Sequence, residues 1–362
     1  MEQKSSRMES MVDSIIEQDI KEIISRIDNS RFEGKNILLT GGGGFLGTYF
    51  VYYFSLLNDL NILSKPCKLY VIENFIRGVP DWYESIKDRK DIDIIEADIN
   101  KISSLPKSDF IIHAATIASP TYYRLHPIET MDANVIGLRN LLDFVKENPC
   151  ESFLFFSTSE IYGDPDPENI PTKETYRGNV SCTGPRACYD ESKRYGETLC
   201  VNFYQQYGIP IKVARPFNNY GPGLRLGDKR VIPDFFSNIL NGNKIEILSD
   251  GHVTRTFCYI SDAVTGYLQM LLSDYNGEAF NIGTDGPEIT MLDLAKTISK
   301  IVKGNDEFEY EYKVSSDKNY LTDNPQKRCP DLTKSKTLLK YNPQVSLEEG
   351  LTRIYNYYKN HQ

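Results

Sequence analysis

The sequence predicts an α/β chain: a doubly wound parallel sheet joined to a smaller mixed α/β domain. Three observations predict it. Short apolar runs of strand length alternate with helical periodicity from Lys35 to about residue 216, which implies a parallel sheet covered on both faces. A glycine-rich turn, TGGGGFLG, follows the first of these runs and opens a helix. Beyond about residue 216 the strands shorten and the order becomes mixed, as expected of a smaller domain packed over the sheet's carboxyl edge, where ligands of open α/β sheets sit.

The bulk properties narrow the partners. With 362 residues the chain can bury a large core. Its net charge of −9, from 50 acidic and 41 basic residues, argues against nucleic acid or an anionic membrane surface as a partner. Seven cysteines without a CxxC pair argue against a disulfide framework or a zinc site, and no metal is expected. A reducing, cytoplasmic setting is the simplest expectation. Glu9, Asp13, Glu17 and Asp19 interrupt any apolar leader. The run FLGTYFVYYFSLL is too short to span a bilayer and reads as a buried helix.

The elements follow in order. Met11, Ile15, Ile16, Ile20, Ile23, Ile24 and Ile27 mark one face of an amphipathic helix over residues 8–28. It is expected to dock on the body or on a neighbouring subunit. Strands are read at KNILLT, CKLYVIEN, IDIIEADI, DFIIHAAT, ESFLFFSTS and IKVARPFN, with helices at IETMDANVIGLRNLLDFVKEN and around Tyr189. This organisation sets residues 1–33 as an N-terminal helix and 34–215 as the sheet domain. Residues 216–362 form the second domain, with 254–272 expected to return to the first.

Gly41, Gly44 and Gly47 have the spacing GxxGxxG, with Phe45 and Leu46 opening the helix. Glycine serves where a turn is tight and where backbone must approach a pyrophosphate; the helix N-terminus then offers N–H groups and partial positive charge. The sheet is therefore of Rossmann type, and the cofactor expected is a dinucleotide. Glu73 ends the second strand, where an acidic residue accepts ribose hydroxyls and repels a 2′-phosphate, favouring NAD over NADP. Arg77 close by pulls the other way. Asn74, Asp98, Ile99 and Ala114, at the ends of the second, third and fourth strands, complete the candidate cofactor contacts.

Tyr189 and Lys193 lie four residues apart on a predicted helix after the fifth strand. Residues at that spacing share a face. Tyr83 with Lys87 and Tyr355 with Lys359 have it too, so the spacing alone decides nothing; the sheet context singles out Tyr189. A lysine ammonium and a cationic nicotinamide would favour its phenolate, a base for a hydroxyl proton. Thr158, Ser159 and Glu160 close the fifth strand, where a hydroxyl can bind the reacting oxygen and a carboxylate can move a proton. Arg186, Arg215, Arg225, Arg230, Arg255 and Arg328 could form a local positive pocket for diphosphate or carboxylate. His113 reads as a packed residue beside the cofactor.

TGGGGFLG, YDESK, ARPFNNYGP and TRTFCYISD together resemble the extended short-chain dehydrogenase/reductases, the NAD-dependent nucleotide-sugar epimerase/dehydratase family. STSEIYGDP, GPRACYDESKR, GDKRVIPDF and NPQKRCPD resemble segments of the UDP-glucuronate decarboxylases within it. The resemblance implies a nucleotide-diphosphate sugar as substrate and oxidation of its 4-hydroxyl. Thr158, Tyr189 and Lys193 match the family's catalytic set, and Ser159 and Glu160 the decarboxylases' Ser-Glu pair. Arg255 matches an arginine linked to decarboxylation. Asn218, Arg230 and Arg328 match positions that hold nucleotide and diphosphate, and Tyr123 one near the sugar. Helices at 128–148 and 187–207 resemble those that pair subunits, implying a homodimer.

The sequence departs from related patterns in informative places. Sugar 4,6-dehydratases carry Asp-Glu where Ser159-Glu160 stands, so the acid that expels water is missing. ASPTYYRLHP and GPGLRLGD differ from the decarboxylases' usual stretches. A 4-epimerase or 4,6-dehydratase shares the opening oxidation. A non-catalytic NAD sensor or scaffold would have no need of the Tyr/Lys/Glu set.

Overall fold

The computed structural model describes residues 13–102, 104–315, 318–319 and 321–361. Its central sheet contains β1 (Asn36–Thr40), β2 (Lys68–Glu73), β3 (Ile92–Glu96), β4 (Phe110–His113), β5 (Ser152–Phe156), β6 (Ile211–Pro216) and β7 (Ala279–Ile282). The strand order is β7-β6-β5-β4-β1-β2-β3, and every pairing is parallel. The first six match the apolar runs of the sequence. The seventh comes from beyond residue 216 and was not read as part of this sheet. The fifth strand also ends at Phe156 rather than running on to Ser159, because Thr158 leaves the ladder to cap the 3₁₀ turn Ser159–Tyr162.

Period-two alternation sorts the strand side chains into two layers. Ile37 and Leu39 of β1, Phe110 and Ile112 of β4, and Leu154 and Phe156 of β5 join one buried cluster. Leu38, Ile111, Phe153 and Phe155 join the other. Each fully buried side chain of this kind contributes roughly 1.5–3 kcal/mol. The first layer is covered by α1 (Ser14–Ser25) and α2 (Phe45–Asp59), whose residues Tyr49 to Leu57 are all buried. The second is covered by α3 (residues 127–147) and by α4 (Ala187–Tyr207). Helix α3 is a continuous run made of Pro127–Asp132, a π-helical turn Ala133–Gly137 and Leu138–Glu147.

Helix α1 docks on the body of the protein through Ile16, Ile20, Ile23 and Ile24. Met11, assigned to the same face, lies outside the described residues. Asp19 of this helix is fully buried and accepts hydrogen bonds from Tyr49, Tyr259 and Arg353, at 3.0, 2.8 and 2.7 Å. Among the described residues no helix is long and apolar enough to cross a membrane.

Further elements include the short helices Tyr83–Ile86 and Pro120–Leu125, then α5 (Val231–Leu240), α6 (Ile260–Leu271), α7 (Met291–Lys303), α8 (Leu347–Asn360) and several two- or three-residue strands. Helix α6 packs against β5, β6 and β7. Short ladders join Ile245–Ile247 to Tyr310–Tyr312, and join Thr254–Arg255 to both Ile289–Thr290 and Lys327–Arg328. The last of these puts Arg255 and Arg328 side by side.

Candidate active site

The strand order reverses between β1 and β4, and a crevice opens there at the strands' carboxyl ends. It is a cavity of about 1010 Å³, with Gly41 after β1 and Ala114 after β4 in its wall. Gly44, Phe45, Leu46, Gly47, Tyr123, Thr158, Ser159, Glu160, Arg186, Tyr189, Asn218, Arg230, Arg255 and Arg328 line the same cavity. One space thus gathers most of the residues singled out in the sequence. Glu73, Asn74, Asp98 and Ile99 are not in its wall. Nor are Arg215 and Arg225, which therefore leave the expected positive pocket. Arg215 is turned to Glu197, with Nε–Oε1 2.9 Å and Nη2–Oε2 2.6 Å. Arg225 donates to the Arg77 carbonyl.

The glycine turn fits a dinucleotide. Gly41 has φ +77°, and a Cβ there would lie 2.7 Å from Ala115 backbone. A Cβ on Gly47 would lie 2.0 Å from the Gly41 carbonyl oxygen. Backbone this bare, at the N-terminus of a helix whose first N–H groups lack helical partners, is a cradle for phosphate. Glu73 supports it from outside: its carboxylate accepts from Gly43 N at 2.7 Å, Asn74 N at 3.0 Å and Phe75 N at 3.2 Å. Asp98 accepts from Asn100 N at 3.0 Å. Ser157, absent from the sequence reading, lines the cavity with a buried hydroxyl that has no partner. Its place, one residue past β5, was the available signal.

Tyr189 sits in the first turns of α4 with Thr158 hydrogen-bonded to it. Its ring lies flat on that of Tyr123, whose buried hydroxyl has no partner. Lys193, one turn on, is sealed beneath the cavity wall. Its Nζ donates to the Phe156 carbonyl at 2.7 Å and lies 6.0 Å from the Tyr189 ring centre. Burial pushes Lys193 down to about 7. Burial also holds the Tyr189 phenol above its ordinary value, against the pull of Thr158. The phenolate expected from Lys193 and a nicotinamide cation together is thus not favoured by the protein's own groups alone. His113 is buried, with Nδ1 2.7 Å from Thr40 Oγ1, and burial followed by the Lys193 charge pushes it down to about 3.

Opposite Tyr189 lies a buried charge cluster. Glu160 receives Arg328 bidentately, Nη1–Oε1 2.7 Å and Nη2–Oε2 2.6 Å, and also Arg186 Nη2. Burial alone would raise Glu160; Arg186 and Arg328 outweigh it and hold the carboxyl at about 2. Asp190, next to Tyr189, lies 3.8 Å from Arg186 Nε and keeps Oδ1 buried and unpartnered. Burial and the Glu160 charge raise it to about 8. Sequence reasoning missed Asp190, which nothing but its place beside Tyr189 marks. Arg255 spends its hydrogen bonds on neutral oxygens: the carbonyls of Thr254 (2.7 Å), Pro325 (2.5 Å) and Gln326 (3.2 Å), and Asn324 Oδ1 (3.3 Å). Burial, then the neighbouring Arg328, pulls it down to about 9.

A model of the NAD dependent epimerase/dehydratase family matches residues 37–283, the span that carries the glycine cradle and the Tyr189–Lys193 pair. The chain belongs to this family. It is 36% identical over 329 residues to UDP-glucuronic acid decarboxylase 6 of Arabidopsis thaliana, covering 90% of each chain. It is 34% identical to UDP-glucuronic acid decarboxylase 1 of Xenopus tropicalis over 91% of this chain and 73% of that protein. Among solved structures it resembles UDP-glucose 4-epimerase of Thermotoga maritima, with TM-score 0.77 and 28% identity over 90% of this chain and 99% of that one. It also resembles UDP-glucuronic acid 4-epimerase of Bacillus cereus in complex with UDP-glucuronic acid and NAD, with TM-score 0.74 and 26% identity over 90% of this chain and all (100%) of that one. The cofactor of this family is NAD, and the cradle above fits it.

Proposed function

We propose that this enzyme decarboxylates UDP-glucuronate to UDP-xylose or its 4-keto form. One observation carries the reading: a buried arginine whose partners are all neutral oxygens, Arg255, lines the same cavity as the Tyr189–Thr158 pair. A guanidinium so placed can take a carboxylate without giving up an existing ion pair. The relatives named as UDP-glucuronic acid decarboxylases support the choice of sugar.

Tyr189, as the phenolate that a bound nicotinamide cation would favour, removes the proton of the sugar 4-hydroxyl, with Thr158 sharing the hydrogen bond to that oxygen. Lys193 holds its ammonium beneath the ring, anchored on the Phe156 carbonyl. Gly41, Gly44, Phe45, Leu46 and Gly47 would hold NAD, which would supply the acceptor and later the donor of a hydride at carbon 4. Oxidation there makes the 5-carboxylate a β-keto acid. The C5–carboxyl bond then breaks, carbon dioxide leaves, and the electron pair passes into the ketone as an enolate. Arg255 orients the departing carboxylate, and Ser159 with Glu160 positions the ring while a proton returns to carbon 5. Arg230, Arg328 and Asn218 serve the diphosphate and nucleotide, and Tyr123 and Arg186 border the sugar.

The protein acts as a homodimer in this reading. Leu125, Ile128, Met131 and Ile136 on and before α3, with Tyr195 and Tyr207 on α4, leave apolar surface exposed that a second copy would cover. A monomeric mass in sedimentation would overturn this.

Incubation with UDP-glucuronate tests the activity, with carbon dioxide and a pentose nucleotide expected by mass spectrometry. Product from UDP-glucose or dTDP-glucose alone would overturn the decarboxylase reading in favour of an epimerase or dehydratase. NAD binding without turnover of any nucleotide sugar would favour a sensor.

A further inference from the structure

Two loops and the start of the short helix Pro120–Leu125 meet at Asp228. Arg77, four positions past Glu73, places Nη2 2.9 Å from Asp228 Oδ1. The Arg77 guanidinium lies over the Tyr122 ring, 4.2 Å from its centre. Ser119 Oγ donates to the Asp228 carbonyl at 3.2 Å, and Arg230 Nε lies 3.1 Å from Asp228 Oδ2. Arg225 donates to the Arg77 carbonyl at 3.0 Å.

The neighbours of these residues fix where the junction lies. Leu224, Leu226 and Gly227 line the cavity together with the glycine turn. A Cβ on Gly223 would come within 3.9 Å of the Phe45 ring, at the first residue of α2. Pro120, Thr121 and Tyr123 form the adjoining wall. Loop 221–230 therefore stands over the dinucleotide cradle, and Arg77 ties it to the end of β2 across 151 positions of sequence. The contacts join two loops and one short helix rather than paired strands, so they can open without breaking the sheet. Asp228 occupies the Arg77 guanidinium.

We infer that Arg77, Asp228 and Tyr122 form a strap that closes the cofactor end of the cleft and retains NAD between turnovers. The chemistry gives retention a purpose. The proposed reaction oxidises and then reduces the same carbon, so cofactor lost midway strands a keto sugar.

The test is the rate at which loaded enzyme loses NAD. Wild type, Arg77→Ala, Arg77→Lys and Tyr122→Leu are loaded with NAD and freed of excess by gel filtration. The NAD remaining on the protein is then assayed over time. Arg77→Ala keeps the Asp228–Arg230 contact, so it isolates the strap. Arg77→Ala and Tyr122→Leu are expected to release NAD about tenfold faster, with Arg77→Lys in between. Melting temperatures measured without NAD separate lost retention from lost fold, and Arg77→Lys serves if the alanine variant does not fold. Unchanged release from a folded, loaded Arg77 variant overturns the strap alone. A wild type that holds no NAD overturns the strap and the cofactor assignment together.

Discussion

Tyr123 and Tyr189 are stacked face to face, their ring centres 4.9 Å apart and their planes 5° from parallel. Both are nearly fully buried. A stacked aromatic pair is worth about 1 kcal/mol beyond its burial, and here it sets the direction in which the Tyr189 phenol points. Tyr123→Leu should therefore lower kcat about five- to tenfold. Tyr123→Phe, which keeps the ring, should hold kcat and raise KM if the hydroxyl meets the sugar. Steady-state kinetics on the two variants check both statements.

Glu160 is the negative centre of a pocket holding Arg186, Arg328 and Arg255. Its carboxyl, at about 2 against an ordinary 4.5, is depressed in the folded state. Its stabilisation is thus fully present above pH 4.5 and is lost as pH falls towards 2. Glu160→Gln should destabilise the protein by about 3 kcal/mol at neutral pH, because the buried Arg186 and Arg328 guanidinium groups lose their counter-charge. The difference from wild type should shrink between pH 4.5 and 2. Denaturant titrations across that range measure it.

Asp190 has the opposite sign. Its folded-state value, about 8 against an ordinary 3.8, is raised, so its contribution is fully present below pH 3.8 and disappears as pH rises through 8. Asp190→Asn should leave the melting temperature unchanged at pH 4 and raise it above pH 8. A parallel shift at both pH values would contradict this assignment of charge.

Arg255 separates two steps of the proposed reaction. Arg255→Ala should still oxidise the sugar at carbon 4, seen as a rise in absorbance at the wavelength of reduced nicotinamide. It should slow carbon dioxide release by at least about a hundredfold, the scale of removing a charged contact made in the transition state. Equal loss of both signals would mean that Arg255 holds the substrate rather than serving the carboxylate.

Much of this was legible in the sequence, for physical reasons. β1, β2, β4, β5 and β6 are apolar runs bounded by turns, and a parallel sheet demands such runs. GxxGxxG and the Tyr189–Lys193 spacing are local patterns, readable without knowing the fold. β7 was missed because AFNI is too short to distinguish from a helix segment. Pairings remote in sequence were equally hidden: Tyr123 on Tyr189, Arg328 on Glu160 and Arg77 on Asp228 depend on the loops above the sheet. Arg215 shows the converse error. It has the composition of a pocket residue, but its strand position turns it towards Glu197. The Tyr189 phenolate is expected from Lys193 and a nicotinamide cation together; without the cofactor, burial raises the phenol and lowers the lysine, a consequence of packing that no local pattern carries.

The most direct measurement follows UDP-glucuronate labelled at the carboxyl carbon, incubated with wild type and with Tyr189→Phe. The account predicts labelled carbon dioxide and an unlabelled pentose nucleotide from wild type. It predicts a rate about a thousandfold lower from Tyr189→Phe, which should still bind NAD. Label retained in a hexuronate product, or wild-type rates from Tyr189→Phe, would contradict it.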